Sequence, residues 1–223
     1  MTDPAPGAAG RSQGPDLTSH DDLLELEPWD QPRGPGGVPT WMGELLNFCS
    51  RCGAELRFGP IDGDHRDRLS CPACQFVAYV NPRLVVTTLP ITPAGEVVLL
   101  RRGIEPGLGA WAQPGGFLEI DETVREGAIR ETLEETGLLV EPGEIVGLYS
   151  RTQAAIVVVA FEARIVGGEL RTNPEALAFG TFRPEAIPWS GIAFKTSTWA
   201  LRDWVHRVRP DLHPDRLIGH ATA

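Results

Sequence analysis

At 223 residues, 42% of them hydrophobic, the chain suits one medium domain with a small second module. A net charge of −10 argues against a partner held through its phosphate backbone, so nucleic acid is not the expected ligand. The longest apolar run, Ala154 to Phe161, is too short to span a membrane and no signal peptide is evident, so a cytoplasmic protein is expected.

Residues 1–40 hold seven Pro and six Gly, and Asp21, Asp22, Glu25, Glu27 and Asp30 add charge. Such a segment buries too little to fold, so a disordered acidic tail is expected. Leu23, Leu24, Leu26 and Trp29 form a short apolar patch within it.

Residues 41–76 read as the small module. Cys49-x2-Cys52 and Cys71-x2-Cys74 stand 18 residues apart, a spacing suited to a four-cysteine zinc ribbon. Two disulfides would need an oxidising compartment, and a redox pair would need a βαβ setting. Four thiolates close the coordination sphere, so this Zn²⁺ is expected to be structural. Gly53 suits the turn after the first pair, and Gln75 stands in the equivalent place after the second.

Residues 77–209 read as the main domain and 210–223 as a flexible tail. Leu84 to Leu89 and Glu96 to Leu100 read as strands around a Pro93-Ala94-Gly95 turn. Glu122 to Thr136 reads as a helix closed by Gly137 in a left-handed conformation. Ile145 to Arg151, Ala154 to Ile165 and Ala178 to Phe182 read as strands, with a turn at Gly167-Gly168. Thr196 to Val208 reads as a helix with Trp199, Trp204 and Val208 on its apolar side. The order of strands and helices suits an α+β layer fold.

The helix over 122–136 carries the chemistry. Glu131, Glu134 and Glu135 stand at i, i+3 and i+4 and share one face. Val124, Ala128 and Thr132 form the opposing, core-facing stripe. Like charges on one face repel, and a hard divalent cation reverses the sign of that interaction. An isolated helix of this pattern is ordinarily just a solvated acidic face. Here Gly116, Glu122, Arg130 and Gly137 stand in register with it.

Residues 116–138, GFLEIDETVREGAIRETLEETGL, resemble the Nudix box, G-x5-E-x7-R-E-U-x-E-E-x-G-U, with U aliphatic. All seven fixed positions match, and Thr132 fills one aliphatic slot. By residue frequencies, that many matches arise by chance at about one start in 10^8. Trp111-Ala-Gln-Pro-Gly-Gly116 resembles the segment that often precedes the box; Glu119 matches a further acidic position, and Asp121 replaces the usual Gly. With the cysteine pairs, Asn81-Pro82-Arg83, Ile187-Pro188-Trp189 and Ala193-Phe194, the chain is similar to Nudix hydrolases with an N-terminal zinc ribbon over about residues 45–205. The resemblance implies an α/β/α sandwich and metal-dependent hydrolysis of a nucleoside diphosphate joined to another group.

It also implies roles. Glu131, Glu134 and Glu135 would bind Mg²⁺ or Mn²⁺, and Arg130 would orient a box carboxylate. Gly115 and Gly116 would let the backbone approach the phosphates or the metal. Glu175, in a loop before a late strand, is the candidate general base beside the box acids, with Glu162 as a second candidate. Arg101 and Arg102 leave a strand on opposite faces, and Arg102 is taken as the phosphate contact. Trp111 fits core packing better than base stacking. His65, His206, His213 and His220 read as surface residues.

The expected partner is a small-molecule nucleotide, and a homodimer stays open. The motif S-Q-P-W-P-F-P-x-S of NADH pyrophosphatases has no counterpart between Leu139 and Ala223. A Pro about sixteen residues past the box, which marks one ADP-ribose pyrophosphatase group, is also missing. The remaining likeness favours ADP-ribose or FAD, with release of AMP. NADH or NAD, an RNA end, and a catalytically silent ligand sensor are the alternatives.

Overall fold

A computed structural model of the protein describes residues 46–212 and the single residue Gly34. The expectations for the tail over 1–40, its apolar patch, the opening of the ribbon at 41–45 and most of the tail over 210–223 lie outside the described residues, as do His213 and His220.

The ribbon is a small antiparallel sheet of β1 (Arg57–Gly59), β2 (Arg68–Ser70) and β3 (Val77–Ala78), in that order. Its apolar cluster is built on Cys49, Leu56 and Cys71. Gly53 and Gln75 both take left-handed backbone, at φ 75° and 60°. For Gln75 that conformation costs about 1–2 kcal/mol.

The main domain is a seven-stranded mixed sheet. It contains β4 (Arg83–Ile91), β5 (Val97–Arg102), β6 (Trp111–Ala112), β7 (Gly115–Phe117), β8 (Leu138–Arg151), β9 (Ile156–Gly168) and β10 (Ala176–Phe182). The order is β10-β5-β4-β9-β8, with β6 on β5 and β7 on β4. Only β4 and β9 run parallel among these pairings.

Two helices cover opposite faces. On one side α1 (Val124–Thr136) buries Ala128 against Val86, Val159 and Phe161. On the other side α2 (Lys195–Val208) buries Leu201, Trp204 and Val205 against Leu89, Val97 and Leu99. The layers are the α/β/α sandwich that the resemblance implied.

Several boundaries differ from expectation. The first helix starts at Val124, because Thr123 takes the N-cap and forms a reciprocal capping box with Glu126. Glu122 therefore belongs to the preceding loop. Strand β8 begins at Leu138, seven residues before the expected start. It absorbs Pro142-Gly143 through irregular pairing with β9 at the sheet edge, where Pro is tolerated. Gly167 and Gly168 stay within β9, opposite Leu139 and Leu138, instead of forming a free turn. Val208, expected on the apolar side of the last helix, is exposed.

Thr132 does more than fill an aliphatic slot. Its hydroxyl contacts the Thr88 hydroxyl at 2.7 Å and donates to the Ala128 carbonyl at 2.7 Å. Both threonines are fully buried, so this pair fixes how α1 sits on β4.

Candidate active site

The loop from β6 into β7 and the inward face of α1 build the site together. Glu135 accepts the Gly115 N–H at 2.8 Å. A Cβ on Gly116 would stand 2.5 Å from the Glu131 carboxylate, so any larger residue would displace that acid from its present position. Glu131 and Glu135, one turn apart, thus turn in towards Gly115 and Gly116. Glu134 turns outward, with its side chain 60% exposed against 15% for Glu131.

Arg130 spans the loop and the helix. Its guanidinium donates to Glu122 at 2.6 Å, Glu131 at 2.7 Å, Glu134 at 3.2 Å and the Phe117 carbonyl at 3.1 Å. The Arg130 hydrogen bond is the main cause drawing Glu122 down to about 2. Glu122 in turn accepts the Glu119 N–H at 2.9 Å, which shapes the loop before the helix.

The two inward acids shift the other way. Burial holds Glu131 above the usual carboxylate range despite Arg130. Burial also pushes Glu135 up to about 7; the Gly115 N–H and Arg102 oppose the rise, while the charges of Glu131 and Glu175 add to it.

Arg102, at the end of β5, lies 4.8 Å from the Phe194 ring centroid, and its Nε donates to the Pro106 carbonyl at 2.7 Å. Burial lowers its pKa, and Glu135, Glu175 and Glu105 oppose that. Arg101 instead donates to the Gly109 carbonyl at 2.8 Å. Glu175 is exposed on the loop before β10. The structure therefore turns Glu135 in on Gly115 and Glu131 in on Gly116, and the charges of Arg102 and Glu175 act on Glu135. It leaves out Glu162, which pairs with Arg207 of α2. Trp111 packs edge-on to Phe182, with centroids 5.2 Å apart, and borders the core on the α2 side.

This donor set fits a hard divalent cation. Mg²⁺ takes one or two carboxylates together with phosphate oxygens. Glu131 and Glu135 could supply those carboxylates. The three box acids are not drawn to one point. Among the described residues, only the four cysteines form a group of three or more with all ligand atoms within 4.8 Å of one another.

In the ribbon, Cys49 Sγ lies 3.7 Å from Cys74 Sγ, and Cys52 Sγ lies 3.5 Å from Cys71 Sγ. Tetrahedral Zn²⁺ with Zn–S bonds of about 2.3 Å implies sulfur separations of about 3.8 Å, so the thiols fit that ion. None of them is in a disulfide. The Cys74 N–H draws the Cys71 thiol down, whereas Cys74, despite the Phe76 N–H, is pushed up by burial and by the Cys52, Cys71 and Cys49 sulfurs.

Residues 81–206 match the family model described as the NUDIX domain, more than half of the chain. The chain belongs to the Nudix family. Residues 47–80 match a second model, described as Nudix N-terminal. A crystal structure of a Nudix hydrolase from Nitrosomonas europaea is 35% identical, with a TM-score of 0.68, and the match covers 73% of this chain and 93% of that one. An ADP-ribose pyrophosphatase of Methanocaldococcus jannaschii is 33% identical over 44% of this chain and 60% of its own length. A NAD-capped RNA hydrolase NudC of Stutzerimonas stutzeri is 27% identical over 63% of this chain and 48% of its own length. The matches thus span about half of these two curated relatives. No helix among the described residues is long and apolar enough to cross a membrane.

One residue that the sequence did not single out is Asn173. Its side chain donates to the carbonyls of Glu134 at 3.2 Å and Glu135 at 3.0 Å. Asn-Pro at 173–174 marks a turn, which was the available signal, but nothing local points from that turn to α1.

Glu135 makes stability depend on pH. Its folded value, about 7, lies above its ordinary value of 4.5, so protonation favours the fold. That contribution is complete below the unfolded value and is lost as pH rises through the folded one. Protein freed of Mg²⁺ but retaining zinc should lose about 2 kcal/mol from this group between about pH 5 and pH 8. The raised Glu131 acts with the same sign. Glu122 acts oppositely, but only as pH falls below its ordinary value of 4.5. Urea unfolding at several pH values reads this directly. A dependence that Glu135→Gln does not flatten would assign it to other groups.

Proposed function

We propose that this protein is a metal-dependent pyrophosphohydrolase that cleaves the diphosphate of a nucleoside diphosphate joined to another moiety, with ADP-ribose or FAD as substrate and AMP as product. The observation that carries this reading is the convergence of Glu131 and Glu135 on Gly116 and Gly115, with the charges of Arg102 and Glu175 acting on Glu135. A cation beside a fixed arginine suits a diphosphate, which presents oxygens to both.

When bound, Mg²⁺ or Mn²⁺ supplies charge neutralisation at the diphosphate oxygens. The chain supplies the rest. Glu131 and Glu135 would hold the metal from the inward side and Glu134 from the solvent side, and Arg130 keeps Glu131 and Glu134 oriented. Arg102, stacked on Phe194, meets a phosphate oxygen. The backbone of Gly115 and Gly116 lines the floor. Glu175 accepts the proton of the attacking water, with a box carboxylate as the other base open to the role. The oxygen of that water bonds one phosphorus, the bridging P–O bond breaks, and the second phosphate leaves. The ribbon holds zinc through Cys49, Cys52, Cys71 and Cys74 and takes no part in bond making.

The ADP-containing substrate is supported by the named activity of the Methanocaldococcus relative and by the missing NADH-type motif. The NudC relatives favour a second reading, an NAD-capped RNA end, against which the acidic charge weighs. A substrate panel with Mg²⁺ or Mn²⁺, analysed for products, separates them. ADP-ribose should give AMP and ribose 5-phosphate, and FAD should give AMP and FMN. A higher kcat/KM for NADH or an NAD-capped oligonucleotide, or for a triphosphate giving pyrophosphate, would overturn the substrate and leave the reaction class standing.

A further inference from the structure

The loop between β9 and β10 carries Glu175 but shares no strand with α1. One side chain joins them. Asn173 donates from Nδ2 to the carbonyls of Glu134 at 3.2 Å and Glu135 at 3.0 Å. These are C-terminal carbonyls of α1, which lack helical partners. The same side chain accepts at Oδ1 from the N–H groups of Glu175 at 2.8 Å and Ala176 at 2.9 Å. Its amide is thus shared between the helix that bears the inward acids and the residue that bears the outer one. The far side of the loop is pinned as well. Gly103 N–H donates to the Glu175 carbonyl at 2.7 Å, and a Cβ on Gly103 would collide with the Pro174 carbonyl at 2.0 Å. Arg171 N–H donates to the Thr136 carbonyl at 2.9 Å.

We propose that Asn173 is a positioning residue: by bridging the end of the box helix to the backbone of Glu175, it keeps the Glu175 carboxylate facing Glu135 and the cation site. The inference rests on the reading of that site as a cation site. Ala176 pairs with Arg102 across β10 and β5, so Glu175 lies beside the end of β5, and its charge acts on both Glu135 and Arg102. The Asn173 amide is taken up by backbone groups of α1 and of the loop. It acts through Glu175.

The test is Mn²⁺ affinity, measured by titration of zinc-loaded protein, with Mn²⁺ alone and no substrate. Glu175→Gln and Asn173→Ala should each weaken binding by about tenfold, the scale of lost outer-shell support at a metal site. The double variant should bind no more weakly than Glu175→Gln alone, because the two changes remove one effect. Asn173→Ser keeps a hydroxyl acceptor for the local turn but cannot reach the helix carbonyls, so it should behave as Asn173→Ala does. It also carries the test if the alanine variant does not fold. Asn173→Ser with wild-type affinity, or additive losses in the double variant, would overturn the proposal. Failure of the wild type to bind Mn²⁺ outside the ribbon would overturn it together with the proposed function. Failure to hydrolyse any diphosphate would remove that function alone, because the affinity cycle needs no turnover.

Discussion

Glu135→Gln is expected to lower kcat by about 10²–10³-fold, the range for losing one electrostatic stabiliser at a reacting centre. The variant is nearly isosteric, and its amide oxygen still accepts the Gly115 N–H that Glu135 accepts at 2.8 Å. What disappears is one negative charge among Glu131, Glu135 and Glu175. Metal-free protein should therefore fold at least as well as wild type near pH 8, where burial of the Glu135 charge is most unfavourable. Glu134→Gln should lower turnover by less, because its carboxylate faces solvent and leans on Arg130 at 3.2 Å. Raised Mg²⁺ should restore part of the Glu134→Gln activity and little of the Glu135→Gln activity. Steady-state kinetics across a metal series decides the matter. If both variants keep wild-type turnover with normal metal dependence, the chemistry lies elsewhere.

The box was legible because its constraints are local. Three acids at helical spacing need one helix, Thr123 and Glu126 cap it, and Gly137 closes it at φ 79°. The cysteine pairs were legible for the same reason, since a tetrahedral ion imposes short spacings. What the sequence hid depends on distant partners. Pro142-Gly143 reads as a break, yet an edge strand absorbs it as an irregularity, so the start of β8 was misplaced. The difference between Glu134 and Glu135 is set by the Gly115 loop, twenty residues upstream of Glu135. Arg102 lies against the Phe194 ring, far along the chain, a contact that no local pattern shows. Asn173 reads as a turn residue, and its bridge to Glu134 and Glu135 exists only in three dimensions.

Cys71→Ser is expected to release the zinc and unfold the ribbon while sparing the Nudix sheet. The ribbon has strands of two or three residues and an apolar cluster centred on Cys49, Leu56 and Cys71. Two of those three buried residues are the thiols themselves, so a metal held by them would be part of the core. Structural zinc contributes about 10–16 kcal/mol of apparent binding free energy in small finger peptides, far more than such a cluster supplies. The sheet draws on separate cores, with Leu89, Leu99, Leu201 and Trp204 on one face and Val86, Ala128 and Phe161 on the other. Limited proteolysis should therefore cut the variant within residues 47–80 and leave the remainder resistant. Metal analysis should find one zinc per wild-type chain and none in the variant. Turnover should fall modestly, because four thiolates leave zinc no open position for chemistry. Reduced wild-type protein without zinc, or a variant as protease-resistant as wild type, would remove the metal from the account of this module.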